Sequence, residues 1–267
     1  MPHSFAEMPS KQLIARSFCA AAGAYDLSAE FQRRVGFDLL DRMPMPPLPA
    51  RVLDVGTGTG FLAAEIEKRA PQAQMLALDI AEGMLQKART RLKGACLVGD
   101  AEMLPVASQS MDLVVSNLAI QWCHSLERTF GEFARVLKTG GSVCFSTFGV
   151  NTLHELRTAW ASVDAQSHVN DFQTYSAISE ALTDSGLRAE FLAETQIQVE
   201  YPSVLALMRE LKGLGAHNIT LDRPRHLTGR CRFTRMMECY QLVAGNEDGS
   251  VSATFHVVVG MAKRAIP

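Results

Sequence analysis

The sequence lacks a long apolar run and a strong net charge. Its 267 residues contain no apolar run that approaches the roughly 20 consecutive residues needed to span a bilayer. Because the formal net charge is −2, no overall field draws the chain onto nucleic acid or an anionic membrane. These absences predict no membrane partner and no nucleic-acid partner, and they favour a cytoplasmic location.

The sequence also lacks a cysteine pattern for metal binding. It contains neither a C-x-x-C pair nor a zinc-ligand spacing between cysteine and histidine, so we predict no metal. The six cysteines, interpreted as reduced thiols, are Cys19, Cys96, Cys123, Cys144, Cys231 and Cys239. The alanine-rich segment from Ser17 to Tyr25 leads into acidic residues and is not typical of a signal peptide.

Apolar residues make up 47% of the chain and charged residues 20%, as in an ordinary globular protein. The first region, residues 1–44, has apolar residues at helical intervals and predicts two amphipathic helices, which we interpret as an N-terminal lid. Four prolines between Pro44 and Pro49 predict an extended linker after it.

The second region, residues 45–200, alternates short apolar runs with helix-like segments, which indicates βαβ units and a parallel sheet. The predicted strands are Val52–Val55, Met75–Leu78, Ala95–Val98, Leu113–Ser116 and Val143–Phe148. The apolar face from Leu126 to Leu137 predicts a helix that ends at Gly140-Gly141.

The third region, residues 201–250, loses this alternation and gains basic residues, so we interpret it as a cap inserted before the last strand. Its basic residues are Arg209, Lys212, Arg223, Arg225, Arg230, Arg232 and Arg235. The β-branched run from Thr254 to Gly260 predicts a final strand within residues 251–267.

A glycine-rich turn follows the first predicted strand. The residues are Asp54-Val55-Gly56-Thr57-Gly58-Thr59-Gly60, placed where an open α/β sheet binds its ligand. Glycine permits the positive φ angles of a tight turn and lets a ligand approach bare backbone. The dinucleotide pattern G-x-G-x-x-G is absent, and Asp54 would repel a pyrophosphate but suit an ammonium group.

Two further acids end the next predicted strands. Asp79 is placed to accept hydrogen bonds from ribose hydroxyls, and Asp100 is followed by Ala101 and Glu102. Acids at three successive strand ends fit a ligand with a sulfonium, an amine, a ribose and an adenine.

Over residues 51–148 this set of motifs resembles the class I S-adenosylmethionine-dependent methyltransferases. The resemblance implies a Rossmann-like α/β fold: a seven-stranded, mostly parallel sheet with one antiparallel strand and helices on both faces. It implies S-adenosylmethionine as cofactor and S-adenosylhomocysteine as product. The cofactor-binding residues so implied are Asp54, Gly56, Gly58, Gly60, Asp79, Ile80, Asp100, Ala101, Glu102 and Asn117.

A narrower resemblance covers nearly the whole chain. The segments Ser116–Cys123, Thr152–Leu156 and His168–Phe172 look like those of the malonyl-acyl-carrier-protein O-methyltransferases of biotin biosynthesis. Tyr25-Asp26 with Gln32, Leu211–Ala216 and Leu227-Thr228 extend the resemblance. Members often have an arginine where this chain has Asp171, which leaves the charge role of that position open.

This family resemblance implies methylation of the free carboxylate of malonyl-acyl-carrier protein or malonyl-CoA. A carboxylate is already ionised at pH 7, so the attack needs alignment and desolvation more than a base. We expect a cation or donor to select the carboxylate. The candidates for contact with the acceptor are Tyr25, Asn117, Arg157, His168, Arg209 and Lys212.

The arginines from Arg223 to Arg235 suggest a surface for an acidic acyl carrier protein, whose phosphopantetheine arm would enter the pocket. A plain solvated surface remains an alternative for them. For the whole chain, the alternatives are a methyltransferase of the same fold acting on another small molecule, and a non-catalytic S-adenosylmethionine-binding protein. A nucleic-acid methyltransferase is disfavoured, because it would be expected to have a broad basic face and the sequence shows none.

Overall fold

The computed structural model describes residues 9–43, 49–215 and 229–265. Its strands are β1 (Arg51–Val55), β2 (Gln74–Asp79), β3 (Ala95–Val98), β4 (Met111–Asn117), β5 (Leu137–Phe148), β6 (Leu187–Tyr201) and β7 (Val251–Arg264). The first helices are α1 (Lys11–Ala21), α2 (Tyr25–Ser28), α3 (Glu30–Arg42), α4 (Phe61–Arg69) and α5 (Glu82–Ala88). The later helices are α6 (Leu126–Val136), α7 (His154–Ala161), α8 (Tyr175–Asp184), α9 (Val204–Gly213) and α10 (Arg230–Ala244).

The seven strands form one sheet in the order β3-β2-β1-β4-β5-β7-β6. Strands β1 to β5 pair in parallel, and β7 runs antiparallel to both of its neighbours. The predicted seven-stranded, mostly parallel sheet with one antiparallel strand is therefore confirmed. The strand order reverses direction between β1 and β4, and such a point opens a crevice at the carboxyl ends of the strands.

Buried apolar residues cover both faces of the sheet. On one face the lid helix α3 contributes Phe31 and Leu39 to the core. On the other face Phe130 and Phe133 of α6 are fully buried together with Phe145 of β5. The strands forming the parallel part were predictable because burial on both sides makes them near-continuous apolar runs.

Residues 9–43, the described part of the amino-terminal region, contain three helices, whereas the sequence predicts two. Helix α1 ends at Ala21, and a turn that includes Gly23 separates it from α2, which begins at Tyr25. Glycine is a poor helix former, so the apolar spacing that joins Phe18 to Tyr25 is interrupted there. Of the predicted proline linker, residues 44–48 lie outside the described part of the chain.

The prediction that Gly140-Gly141 ends a helix is wrong. Helix α6 ends at Val136, because Leu137 already has extended backbone angles and begins β5. Gly140, with φ +77°, lies inside that strand, next to a shift in its register with β4. A glycine that permits a strand irregularity gives the same sequence signal as one that ends a helix.

The region between β6 and β7 contains helices α9 and α10. Helix α9 packs on α2 of the lid, and α10 packs on α7 and β7. Residues 216–228 lie outside the described part of the chain. They include the basic residues Arg223 and Arg225 and the resemblance-carrying residues Ala216 and Leu227-Thr228. Within the described ranges, no helix combines the length and the apolar character needed to cross a bilayer.

Candidate active site

The glycine turn between β1 and α4 has the positive φ angles that its sequence implies. Gly56, Gly58 and Gly60 have φ values of +72°, +56° and +81°. A Cβ on Gly56 would lie 2.2 Å from the Cβ of Ala119, and one on Gly60 would lie 3.0 Å from that of Ala88. A Cβ on Gly58 would meet no atom within 4 Å. Gly56 and Gly60 thus permit close packing, whereas Gly58 borders open space.

Two buried carboxylates flank this turn. Asp54 is 1% exposed and accepts a hydrogen bond from Thr57 Oγ1 at 2.7 Å. Asp79 is 8% exposed and accepts from the backbone amides of Gly58 and Ala81, both at 2.8 Å. Burial raises the pKa of Asp54 to about 7 and that of Asp79 to about 6. Neither carboxylate has an ion-pair partner among the described residues, so the site accommodates a cation.

A cleft of about 710 Å³, measured to its open mouth, lies at the ends of β1, β2, β3 and β4. The predicted site residues that line it are Tyr25, Gly56, Gly58, Asp79, Ile80, Asp100, Ala101 and Asn117. Eight of the predicted residues are therefore brought together by the fold.

A recess of about 450 Å³ adjoins the cleft and shares Tyr25, Gly56, Gly58 and Asn117 with it. Asp54 lines this recess. The other polar side chains that line it are Asp26, Gln32, Arg33, Thr57 and Thr59. The recess therefore contains carboxylate, amide, hydroxyl and guanidinium groups.

Two residues of α3 contribute to this recess. The Oε1 atom of Gln32 is buried and has no hydrogen-bond donor within the described ranges. Arg33 Nη1 donates to the backbone oxygen of Asp26 at 2.8 Å. A buried acceptor without a donor is unfavourable by about 1–3 kcal/mol, so a ligand that brings a donor is stabilised here. No role was predicted for Arg33, because it reaches the site through tertiary packing and not through a local motif.

Ion pairs connect the lid to the core around the cleft. Lys11 of α1 lines the cleft and contacts Asp100, at 3.1 Å from Oδ1, and Glu102. Burial lowers the pKa of Lys11, but the neighbouring Cys123, Glu102 and Asp100 outweigh this effect and raise it overall. Lys11 therefore stays charged. Lys11 belongs to no sequence motif, so its position at the cleft is not predictable from the sequence.

A second tether joins α2 to the glycine turn. Thr59 Oγ1 donates to Asp26 Oδ1 at 2.7 Å, and Arg91 forms an ion pair with the same carboxylate. The tether places Tyr25, the residue before Asp26, in the wall of both the cleft and the recess. Burial, together with the charges of Asp79 and Asp26, raises the pKa of Tyr25 far above its usual range. Its hydroxyl is therefore a donor at neutral pH.

Asn117, at the end of β4, lines the cleft and the recess. Its Nδ2 donates to the backbone oxygen of Gln32 at 2.9 Å, and its Oδ1 accepts from Ser146 Oγ at 2.7 Å. The side chain is thus fixed in orientation by the lid and by β5. In the loop that follows, Trp122 lines the cleft and packs edge-on against Phe18 of α1.

Two of the predicted cofactor residues do not line the cleft or its recess. Gly60 lies at the start of α4, where its lack of a Cβ permits contact with Ala88. Glu102 accepts hydrogen bonds from the amides of His124 at 3.1 Å and Ser125 at 2.8 Å, besides its contact with Lys11. The structure thus places Glu102 behind the cleft wall, where it orients Lys11.

A separate cavity, about 1,100 Å³ when measured out to its opening into solvent, lies between α7, the segment 168–172 and the cap helices α9 and α10. Three of the predicted acceptor residues, His168, Arg209 and Lys212, line it. His168 stacks on Trp160, with ring centroids 3.7 Å apart, and its Nε2 bonds to Asp164 Oδ1 at 2.8 Å. These contacts make His168 a fixed part of the wall.

Arg157 does not line this cavity. Its guanidinium donates to Asp171 Oδ1 at 2.9 Å and to the backbone oxygen of Asn170 at 3.1 Å. The charge of Asp171 is thus paired with that of Arg157. The predicted acceptor residues consequently fall into two groups, with Tyr25 and Asn117 at the cleft and the others in or near the cap.

The cleft fits a cationic nucleoside. Its uncompensated carboxylates suit a positively charged ligand, Gly58 leaves room for close approach, and Gln32 offers an acceptor for an ammonium group. Residues 53–145 match the family described as a methyltransferase domain. The fold is shared with geranyl diphosphate C-methyltransferase from Streptomyces coelicolor A3(2), solved with S-adenosyl-L-homocysteine. That structure has a TM-score of 0.53 and 14% identity, over 87% of this chain and 79% of that one. Fold and site together define a class I, Rossmann-like methyltransferase.

Curated relatives narrow this class. The chain is 45% identical to the malonyl-[acyl-carrier protein] O-methyltransferase of Methylococcus capsulatus, over 97% of this chain and 96% of that protein. It is 41% identical to the biotin biosynthesis bifunctional protein BioHC of Cellvibrio japonicus, over 86% of this chain and 46% of that longer protein. The chain therefore belongs to the malonyl-[acyl-carrier protein] O-methyltransferase family.

Proposed function

We propose that this protein transfers the methyl group of S-adenosylmethionine to the free carboxylate of a malonyl thioester on acyl carrier protein, at the start of pimeloyl formation in biotin biosynthesis. The observation that carries the proposal is the 45% identity to a protein of that name along nearly the full length of both chains. The uncompensated Asp79 in the cleft and Asp54 in the recess support it independently, because they suit a cationic methyl donor.

The proposed place of the cofactor follows from the chemistry of the cleft walls. The methionine end would lie in the recess, where Asp54 and Gln32 can accept from its ammonium group and Arg33 can donate to its carboxylate. Asp79 would face the ribose and Asp100, beside Ala101, the adenine. When bound, S-adenosylmethionine supplies an electrophilic methyl group on a sulfonium.

The lid residues would shield this site from water. Lys11, through Asp100 and Glu102, and Asp26, through Thr59 and Arg91, hold α1 and α2 over the cleft. A nucleophilic carboxylate reacts faster when its water shell is replaced by fixed dipoles. We therefore interpret residues 1–44 as the lid, 45–200 as the binding core, 201–250 as the cap and 251–267 as the closing strand.

The acceptor carboxylate needs orientation and no strong base, because it is ionised at neutral pH. The protonated hydroxyl of Tyr25 lies in the wall that the cleft and the recess share, and it would bind one carboxylate oxygen. Asn117, fixed by Gln32 and Ser146, would position the same group. A hydrogen bond from a neutral phenol orients the carboxylate with less loss of nucleophilicity than an ion pair would cause.

The test is label transfer. The protein is incubated with methyl-labelled S-adenosylmethionine and either malonyl or acetyl thioester of acyl carrier protein, and then with malonyl-CoA. We expect label in the malonyl carrier protein and none in the acetyl form, which lacks a free carboxylate. Binding of S-adenosylhomocysteine, measured by calorimetry, confirms that the sample is active. Binding without label transfer to either malonyl thioester would contradict the proposed acceptor and leave the cofactor site intact. A cytoplasmic location stays a prediction that accompanies this function.

A further inference from the structure

The cap cavity differs in character from the cleft. Its walls are mainly apolar and include Leu156, Val169, Phe172, Met208, Leu211 and Phe233. The polar residues in its lining are His168, Asn170, Arg209 and Lys212. The cavity therefore suits an elongated ligand with apolar and amide groups, and not a small polyanion.

The cations of this cavity have a defined position. Arg209 and Lys212 lie on α9, and both are exposed to solvent. In the described part of the chain neither forms a hydrogen bond or an ion pair, whereas most of the arginines around the core are paired. Two unpaired cations on one helix at the rim of an apolar cavity are complementary to an anionic group at the end of an apolar ligand.

The interior wall of the cavity contains an amide acceptor. Asn170 lines the cavity. Its Oδ1 atom is buried and accepts no hydrogen bond from any donor within the described residues. Its backbone oxygen is held by Arg157, so the segment that carries it is fixed. A small movement of this side chain toward a ligand N–H would satisfy the atom.

The cavity lies close to the cleft. Phe172 of the cavity wall contacts Phe148, with ring centroids 5.5 Å apart, and Phe148 stacks at 6.1 Å on Phe31, the residue before Gln32 of the recess. The end of α9 also meets the lid, because Gly213 lies against Ser28, where a Cβ would be 2.5 Å from Ser28 Oγ. An aromatic layer of Phe172, Phe148 and Phe31 therefore connects the cavity wall to the residue beside the recess.

We propose that the cap cavity holds the phosphopantetheine arm of the acyl carrier protein, with the arm's phosphate on Arg209 and Lys212 and its amide and dimethyl groups along the apolar wall. This inference rests on the proposed function and assigns the cap its part in it. The arm's sulfur would then approach the aromatic layer, and the malonyl group would extend past Phe148 toward Tyr25. Arg209 and Lys212 act in this arrangement on the arm, and not on the carboxylate that is methylated.

The experiment compares thioesters that share the malonyl group and differ in the arm. The substrates are malonyl-phosphopantetheine on carrier protein, malonyl-pantetheine without phosphate, and malonyl-N-acetylcysteamine, which lacks most of the arm. The wild-type protein should use them with decreasing kcat/KM. An active cofactor site that methylates none of the three would contradict the proposed function, and the cap assignment with it.

Two variants then test the cap. Met208→Trp fills the cavity and should lower kcat/KM for both pantetheine substrates by about tenfold or more, as expected when a ligand group is excluded from an apolar pocket. It should affect malonyl-N-acetylcysteamine much less, within about twofold, since that substrate has only the part of the arm nearest the sulfur. Leu242→Trp, on the exposed face of α10, is the matched control for the added ring.

The double variant Arg209→Ala/Lys212→Ala should raise KM for the carrier-bound substrate by about tenfold and leave malonyl-pantetheine within about twofold, because only the first has the phosphate. Unchanged binding of S-adenosylhomocysteine confirms that each variant is folded. Equal losses for all three substrates would overturn the proposal and place these residues at the reacting carboxylate. Full activity of both variants would overturn it as well.

Discussion

At the scale of single residues, the two buried carboxylates are the strongest chemical signal of the site. Asp54 and Asp79 lie at the ends of adjacent strands with no cation beside them in the described structure. Burial raises their pKa values to about 7 and about 6. In the ligand-free protein the folded state therefore holds protons that the unfolded chain has lost. The stability of the fold consequently falls as pH rises from about 4 to about 7.

A cationic ligand reverses that preference. We expect the affinity for S-adenosylmethionine to rise by about tenfold between roughly pH 5.5 and 7.5, because binding favours the ionised acids and releases protons. Calorimetry in two buffers of different ionisation enthalpy measures the proton release. Asp54→Asn should weaken binding and flatten the pH dependence. An affinity that is constant over this range would show that the acids do not face the cation.

Arg33 provides a second prediction at this scale. Arg33→Ala should raise the Kd of S-adenosylhomocysteine by about tenfold or more, because it removes the donor assigned to the ligand's carboxylate. Arg34→Ala is the control, since Arg34 is the adjacent residue of α3 and is exposed. Both Kd values are measured by calorimetry. If the two variants bind alike, the carboxylate does not lie in the recess.

The residues of the site were predictable to different degrees. Gly56, Gly58 and Asp79 were found because a tight strand-to-helix turn and a strand end leave a local pattern in sequence. Lys11 and Arg33 were not found, because helices of the lid bring them to the cleft over more than 20 residues of intervening chain. Spacing in sequence does not encode such contacts.

At the scale of elements, the glycine turn is fitted to the loop after β4. Gly56→Ala should destabilise the protein by about 1–3 kcal/mol and weaken cofactor binding, because its Cβ would overlap that of Ala119 in a backbone conformation unsuited to alanine. Gly131→Ala is the control: Gly131 lies within α6 with open space around it, and alanine there should stabilise by about 0.5–1 kcal/mol. Urea unfolding measures both changes. Equal effects of the two substitutions would contradict a specific fit at Gly56.

Strand β6 shows why one element escaped prediction. Among the described strands it pairs with β7 alone and lies at the edge of the sheet, and many of its residues are exposed or half-buried. Polar residues such as Glu194, Gln196 and Gln198 alternate along it. An edge strand with a solvated face lacks the continuous apolar run that identifies the central strands.

At the scale of the whole molecule, the net charge of −2 conceals an uneven distribution. Arg232 and Arg235 are exposed on α10, whose Phe233 lines the cap cavity. An acidic carrier protein would meet these charges as its arm enters. Arg188, 76% exposed at the start of β6, lies at the opposite end of the sheet from the cleft.

Ionic strength should therefore separate the substrates. Between about 50 and 300 mM salt, we expect kcat/KM for the carrier-bound substrate to fall about fivefold or more, while that for malonyl-N-acetylcysteamine stays nearly constant. The double variant Arg232→Glu/Arg235→Glu should lower kcat/KM for the carrier-bound substrate and remove most of the salt dependence of that value. Arg188→Glu should change neither the value nor its salt dependence. Equal salt sensitivity of the two substrates would exclude docking on α10.

The position of β7 has a consequence for how the chain is made. β7 follows every other strand in sequence, yet it lies between β5 and β6 and is the one partner that β6 has in the described sheet. β1 to β5 can pair as they emerge from the ribosome, and the cleft at the ends of β1 to β4 can form early. β6 must wait, with its backbone unpaired, until the last strand, 14 residues long, arrives to join it to β5.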